Sequence, residues 1–198
     1  VVALGLAGRY PDRVRRLCVA NAPYGRINLL KAPHIPLFAL PAVPELAFRA
    51  AGARVVDLML SVAWKAETQL DPDLRAEYVA AYADPEKVKA MLGYYRAAAR
   101  PQLAHALRLG NAPDRPPVVR ADRMLVLWGA ADPVLPLSVG EAVVKALGAD
   151  CVMVSIPGAG HFVVDEAPEL VTQALVDFLA EPTPNKRAAR KAKPADPA

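Results

Sequence analysis

With 198 residues, 54% of them hydrophobic and 22% charged, the chain can bury a sizeable core as one globular domain or two small lobes. No apolar run approaches the ~18 residues of a membrane span, and no signal-peptide pattern opens the chain. The formal net charge of +4 is modest and gathers in one place. Residues 182–198 carry Lys186, Arg187, Arg190, Lys191 and Lys193 against Asp196, and read as a disordered, solvated basic tail. No aromatic side chains interleave with these charges, so a nucleic-acid base has nothing to stack on. Cys18 and Cys151 each lie in an apolar, strand-like run, which argues against a disulfide framework and for the reducing cytoplasm.

In chain order, Val1 to Arg9 reads as part of a helix packed on a sheet, already in progress at Val1, and Tyr10-Pro11-Asp12 ends it. The start at Val1 reads as a truncation. Val14 to Ala20 follows as a strand, broken by Asn21-Ala22-Pro23 at the C-terminal edge, where sites collect in open α/β sheets. The chain holds 20 prolines, five of them from Pro23 to Pro44, which marks a loop-rich connection. From about Ile27 to Pro117 the pattern is helical, with candidate helices over Val55 to Lys65, Leu74 to Ala83 and Pro85 to Arg100. In the last of these, Val88, Met91, Leu92, Tyr95, Ala98 and Ala99 share one apolar face, Pro85 suits the first turn and Pro101 ends the helix.

Strand character returns in Arg123 to Trp128 and again in Cys151 to Ile156, with a helix over Val139 to Leu147 stopped by Gly148. Asp165 and Glu166 are expected to open the last helix, whose apolar face runs through Ala167, Leu170, Val171, Ala174, Leu175 and Phe178. The expected class is therefore α/β, with parallel strands joined by right-handed crossovers and a helical insertion over the sheet. Residues 1–26 and 118–181 form the core, 27–117 a helical cap and 182–198 the tail.

Two polar residues stand at equivalent places in this scheme. Asp132 follows one strand in Gly129-Ala130-Ala131-Asp132-Pro133, and His161 follows the next in Pro157-Gly158-Ala159-Gly160-His161-Phe162. Both should project from the same edge, where a carboxylate fixes the tautomer of an imidazole and stabilises its cation during proton transfer. Taken alone, each is more often a turn or loop residue; the pair in this order is the catalytic candidate.

Here a resemblance becomes specific. Leu125 to Pro133, followed by Gly158 to Phe162, resembles the acid and histidine segments of the α/β-hydrolase fold, whose chain order is nucleophile, acid, histidine. Arg9-Tyr10-Pro11-Asp12-Arg13-Val14 is similar to the stretch after that family's nucleophile elbow. The resemblance implies a catalytic triad with Asp132 and His161 present and the nucleophile about four residues before Val1. Ser61, Ser138 and Ser155 lack a G-x-S-x-G setting, so the chain as it stands is expected to be inactive alone. Gly93-Tyr94-Tyr95-Arg96-Ala97-Ala98 resembles the cap helix of epoxide hydrolases, which implies that the Tyr95 hydroxyl polarises an epoxide oxygen. Phe38-Ala39-Leu40-Pro41 resembles the segment after that family's second cap tyrosine, whose position here is held by His34. That departure weakens the epoxide assignment, and His34 reads as a surface loop residue.

An epoxide hydrolase-like enzyme acting on a small, apolar substrate through an alkyl-enzyme ester is the leading expectation. A serine esterase or lactonase on the same scaffold, or a non-catalytic protein binding in the cap cleft, are the alternatives. No metal cluster and no phosphate-cradling glycine loop appear, so no cofactor is expected, nor a nucleic-acid or membrane partner. Trp128 and Trp64 are expected to pack, His105 lies in a helical stretch with no partner in view, and the two cysteines should be inert buried thiols.

Overall fold

The strand Arg123–Gly129 carries apolar side chains throughout Met124 to Trp128, so it must be covered on both faces. The computed structural model describes residues 2–25, 33–66, 70–106 and 118–182, with 101–106 described by backbone alone. Among the described residues, three strands, β1 (Arg16–Ala20), β2 (Arg123–Gly129) and β3 (Cys151–Ile156), form a parallel sheet with β2 in the middle. Ala20 pairs with Leu127, and Gly129 with Ile156, so all three strands end at one edge.

The alternation of β2 sorts its side chains between two cores. Met124, Val126 and Trp128 join Leu4 and Ala7 of α1 (Val2–Arg9) and Val143 and Leu147 of α7 (Leu137–Leu147). Leu125 and Leu127 point the other way, to Val163 of α8 (Val163–Glu166) and to Val171 and Phe178 of α9 (Pro168–Ala180). Trp128 is fully buried and its indole N–H donates to the Leu135 carbonyl. Cys18 and Cys151 are both free, on opposite faces of the sheet, and burial pushes each thiol up to about 11.

Between β1 and β2 the chain forms α2 (His34–Ala39), α3 (Val43–Ala51), α4 (Ala53–Ala63), α5 (Pro72–Ala83) and α6 (Pro85–Ala106). This block packs on itself through Phe48, Val88 and Leu92, and through Ile35 and Ala99. Its helices α4 and α5 start earlier than the apolar pattern suggests. For α5 the reason is visible: Asp71 caps it, accepting from the Asp73 and Leu74 amides.

Three expectations change. The proline-rich stretch holds two helices, because Pro36 and Pro44 fall in first turns, where no intrahelical N–H is needed. α6 runs on through Pro101, since a long helix tolerates one proline at the loss of a single backbone bond. Asp165 and Glu166 do not open the last helix. They close the separate one-turn α8, and Pro168 begins α9. The first residues of the expected cap, its end at 107–117, and the basic tail beyond Pro182 lie outside the described residues. Among the described residues no helix is long and apolar enough to cross a membrane.

Candidate active site

Because the strands end together, the segments following them meet. Asp132 sits in the turn after β2, where Oδ1 accepts from the amides of Val134 (2.7 Å) and Leu135 (2.9 Å). This local turn fixes the carboxylate and leaves Oδ2 facing the loop after β3. There, Oδ2 lies 2.8 Å from His161 Nδ1. The Asp132 side chain is wholly buried, whereas 28% of the His161 side chain is exposed. Burial pushes the Asp132 carboxyl up, but hydrogen bonds from His161, the Leu135 amide and Asn21, with the charge of His161, outweigh it and hold Asp132 below its ordinary value. An ionised Asp132 accepts, so in the neutral form of the imidazole the ring proton sits on Nδ1 and Nε2 keeps its lone pair. That is the arrangement of an oriented general base.

Asn21 stands at the end of β1, in the stretch whose sequence marks only a strand break. It is buried and adopts a left-handed backbone (φ 40°), which asparagine tolerates better than most residues. Its amide nitrogen donates to Asp132 Oδ2 and to the Gly160 carbonyl (3.2 Å), and its Oδ1 accepts from Gly129 N–H (3.0 Å). One side chain thus ties all three strand ends together. The Asn-Ala-Pro break at the site edge was the signal available.

The histidine loop is packed as tightly as backbone allows. The Ala131 amide donates to the Ala159 carbonyl (2.9 Å), and a Cβ on Gly129 would fall 1.9 Å from the Gly160 carbonyl oxygen. A Cβ on Gly160 would fall 2.4 Å from the Ala63 carbonyl oxygen, which already accepts the His161 amide at 3.0 Å. These glycines are required by close approach. Glu166, expected at a helix start, is instead buried, with its carboxylate accepting backbone N–H groups from this loop and from the exit of α4.

Tyr95 lies on α6, half-buried, with its ring edge-on to Phe38 (5.0 Å) and to His34 (6.1 Å). Burial first, and Tyr82 second, push its hydroxyl up, so it is a protonated donor at neutral pH. His34 is not a surface loop residue. It begins α2, is partly buried, and is pushed down by burial and then by the charge of His161, with Asp132 opposing. The structure thus brings Asp132 and His161 into direct contact and sets Tyr95 beside His34. Among the described residues no group of three or more His, Cys, Asp or Glu could hold a metal ion.

Known proteins share this fold. A family described as TAP-like protein matches residues 104–190. A structure reported under novel epoxide hydrolases of the α/β-hydrolase superfamily, from metagenomes of hot environments, is 27% identical, with a TM-score of 0.66 over 91% of this chain and 64% of that one. The chain belongs to the α/β-hydrolase superfamily. A thermophilic esterase from Thermogutta terrifontis is 25% identical, with a TM-score of 0.64 over 90% of this chain and 60% of that one. AB hydrolase superfamily protein YfhM of Bacillus subtilis is 24% identical over 90% of this chain and 62% of its own length. This α/β-hydrolase chain spans less than two thirds of each of these relatives.

Proposed function

We propose that this protein acts as an epoxide hydrolase-like enzyme on a small, apolar substrate, with His161 as general base and Asp132 as its orienting acid. The observation that carries the reading is the buried Asp132 carboxylate 2.8 Å from Nδ1 of the partly exposed His161. The nucleophile is assigned to the elbow preceding α1, ahead of Val1, as an aspartate. Its carboxylate oxygen attacks an epoxide carbon, the carbon–oxygen bond of the ring breaks, and the departing oxygen takes the Tyr95 hydroxyl proton. His161 Nε2 then takes a proton from water, whose oxygen attacks the ester carbonyl. The alkyl oxygen leaves with the proton from the imidazolium, the diol departs, and the proton left on the nucleophile's acid restores Tyr95.

Two features support the epoxide reading: Tyr95 is kept protonated within an aromatic cluster, and the likeness to an epoxide hydrolase structure is 27% identical. His34, at the position of the second cap tyrosine, offers an imidazole held neutral by burial. The likeness to an esterase at 25% favours a second reading, in which a serine nucleophile forms an acyl-enzyme served by the same pair. On either reading, residues 1–198 alone are expected to be inactive, and unpaired Cys18 and Cys151 fit a cytoplasmic setting.

The test is turnover of a styrene-oxide-type epoxide and of a p-nitrophenyl ester by the protein with its preceding segment and by 1–198 alone. Epoxide turnover by the longer protein, lost with His161→Ala, is expected. Ester turnover alone selects the second reading. Turnover by 1–198 that survives His161→Ala overturns both, and binding without turnover in the longer protein leaves a cleft that only binds.

A further inference from the structure

Glu166 is a buried carboxylate that the proton-transfer scheme does not use. Burying a charge is costly unless its lone pairs are all met. Here four backbone amides meet them. Oε2 accepts from Lys65 (2.7 Å), Ala66 (2.7 Å) and Gly160 (2.8 Å), and Oε1 accepts from Phe162 (2.9 Å). Four backbone donors thus converge on one carboxylate.

The four amides belong to two separate segments. Gly160 and Phe162 flank His161, whereas Lys65 and Ala66 follow the last turn of α4 in the helical block. Further contacts cross the same seam. His161 N–H donates to the Ala63 carbonyl, the Tyr78 hydroxyl of α5 donates to Asp165 (2.7 Å), and the Tyr78 and Phe162 rings meet edge-on at 5.4 Å. The loop of His161 therefore rests on the helical block as much as on its own strand.

We propose that Glu166 is a positioning residue, clamping the His161 loop to the exit of α4, so that the seat of the imidazole against Asp132 depends on the helical block. The assignment rests on His161 being the general base. Moving α4 would then carry the imidazole with it, linking whatever fills the space under the helices to the alignment of the base.

Glu166→Gln keeps the shape but replaces one acceptor oxygen with a donor facing N–H groups. In the protein with its preceding segment, amide hydrogen exchange at Gly160, Phe162, Lys65 and Ala66 is expected to rise together by about tenfold or more, the scale of one lost charge-assisted bond. Exchange at Val126 in the sheet should stay as it was. The low-field proton resonance of His161 Nδ1 should broaden or vanish with Asp132 intact, and kcat should fall at least about tenfold with KM little changed. Glu166→Asp, one methylene shorter, should free Lys65 and Ala66 while holding Gly160 and Phe162, and it serves if the glutamine variant does not fold. Equal acceleration at all amides, an unchanged His161 proton signal, or protected Lys65 and Ala66 in Glu166→Asp overturns the clamp. Turnover that survives His161→Ala overturns the catalytic reading instead, and leaves the exchange pattern as a separate result.

Discussion

Buried polar side chains on backbone groups hold the edge of the sheet, whereas the interior of the helical block is apolar and aromatic, with its ion pairs Arg96–Glu45 and Arg75–Asp57 partly exposed. At the edge, Asn21, Asp132 and Glu166 are buried polar side chains, bound largely to backbone amides and carbonyls. In the block, Tyr95 meets His34 and Phe38 through ring edges, while Leu37, Leu46, Leu58 and Tyr94 stay more than half exposed. Backbone-bound polar groups have few alternative positions, because each displacement leaves a buried partner unmet. Aromatic edges slide at small cost. On the proposed reading, precision for proton transfer sits at the edge, and adaptability to a ligand sits in the helices.

The contrast can be broken most severely at the edge. Replacing His161 with Ala, or Asp132 with Asn, should lower turnover of the longer protein by roughly 10³- to 10⁴-fold, read from kcat/KM. Tyr95→Phe should leave the edge intact. It is expected to slow epoxide turnover about 10- to 100-fold, with ester turnover and unfolding midpoint nearly unchanged; an equal loss on both substrates would show that Tyr95 only packs. Asn21→Ala strands the Gly129 amide and the Gly160 carbonyl. A loss of about 2–3 kcal/mol in urea unfolding is expected, and a change under 0.5 kcal/mol would mean the three strand ends hold without it.

The smallest effect is a pH dependence. The folded protein holds Asp132 below its ordinary value, so the unfolded chain binds its proton more readily. The resulting stability is fully present above the ordinary carboxylate range and is lost as pH falls through that range into the folded value. Thermal unfolding of the wild type should weaken on acidification in this window, and the gap to Asp132→Asn should narrow with it. A gap that widens toward acid would reverse the assigned direction.

How far the sequence could be read differs between the same two regions. β3, between Gly148 and Gly158, and the run of β2, closed by Gly129, are visible as apolar stretches, and Asp132 and His161 follow from their places after those strands. In the block, the prolines read in sequence as breakers, although a first turn accommodates Pro36 and Pro44 and the long α6 accommodates Pro101. His34 looked like a loop residue for the same reason, since α2 was hidden by its proline.

The sequence by itself determined the α/β class, the apolar strand run before Gly129, and an acid and a histidine after consecutive strands. Periodicity reports burial residue by residue, and that information is local. Only the tertiary structure decided that Asn21 lies against Asp132 and Gly160, and that Glu166 reaches Lys65 and Ala66. Those partners are separated by 100 residues or more in the chain. No local pattern encodes them, because an asparagine or a glutamate in a turn has the same sequence signature whether its partner is water or a distant backbone amide.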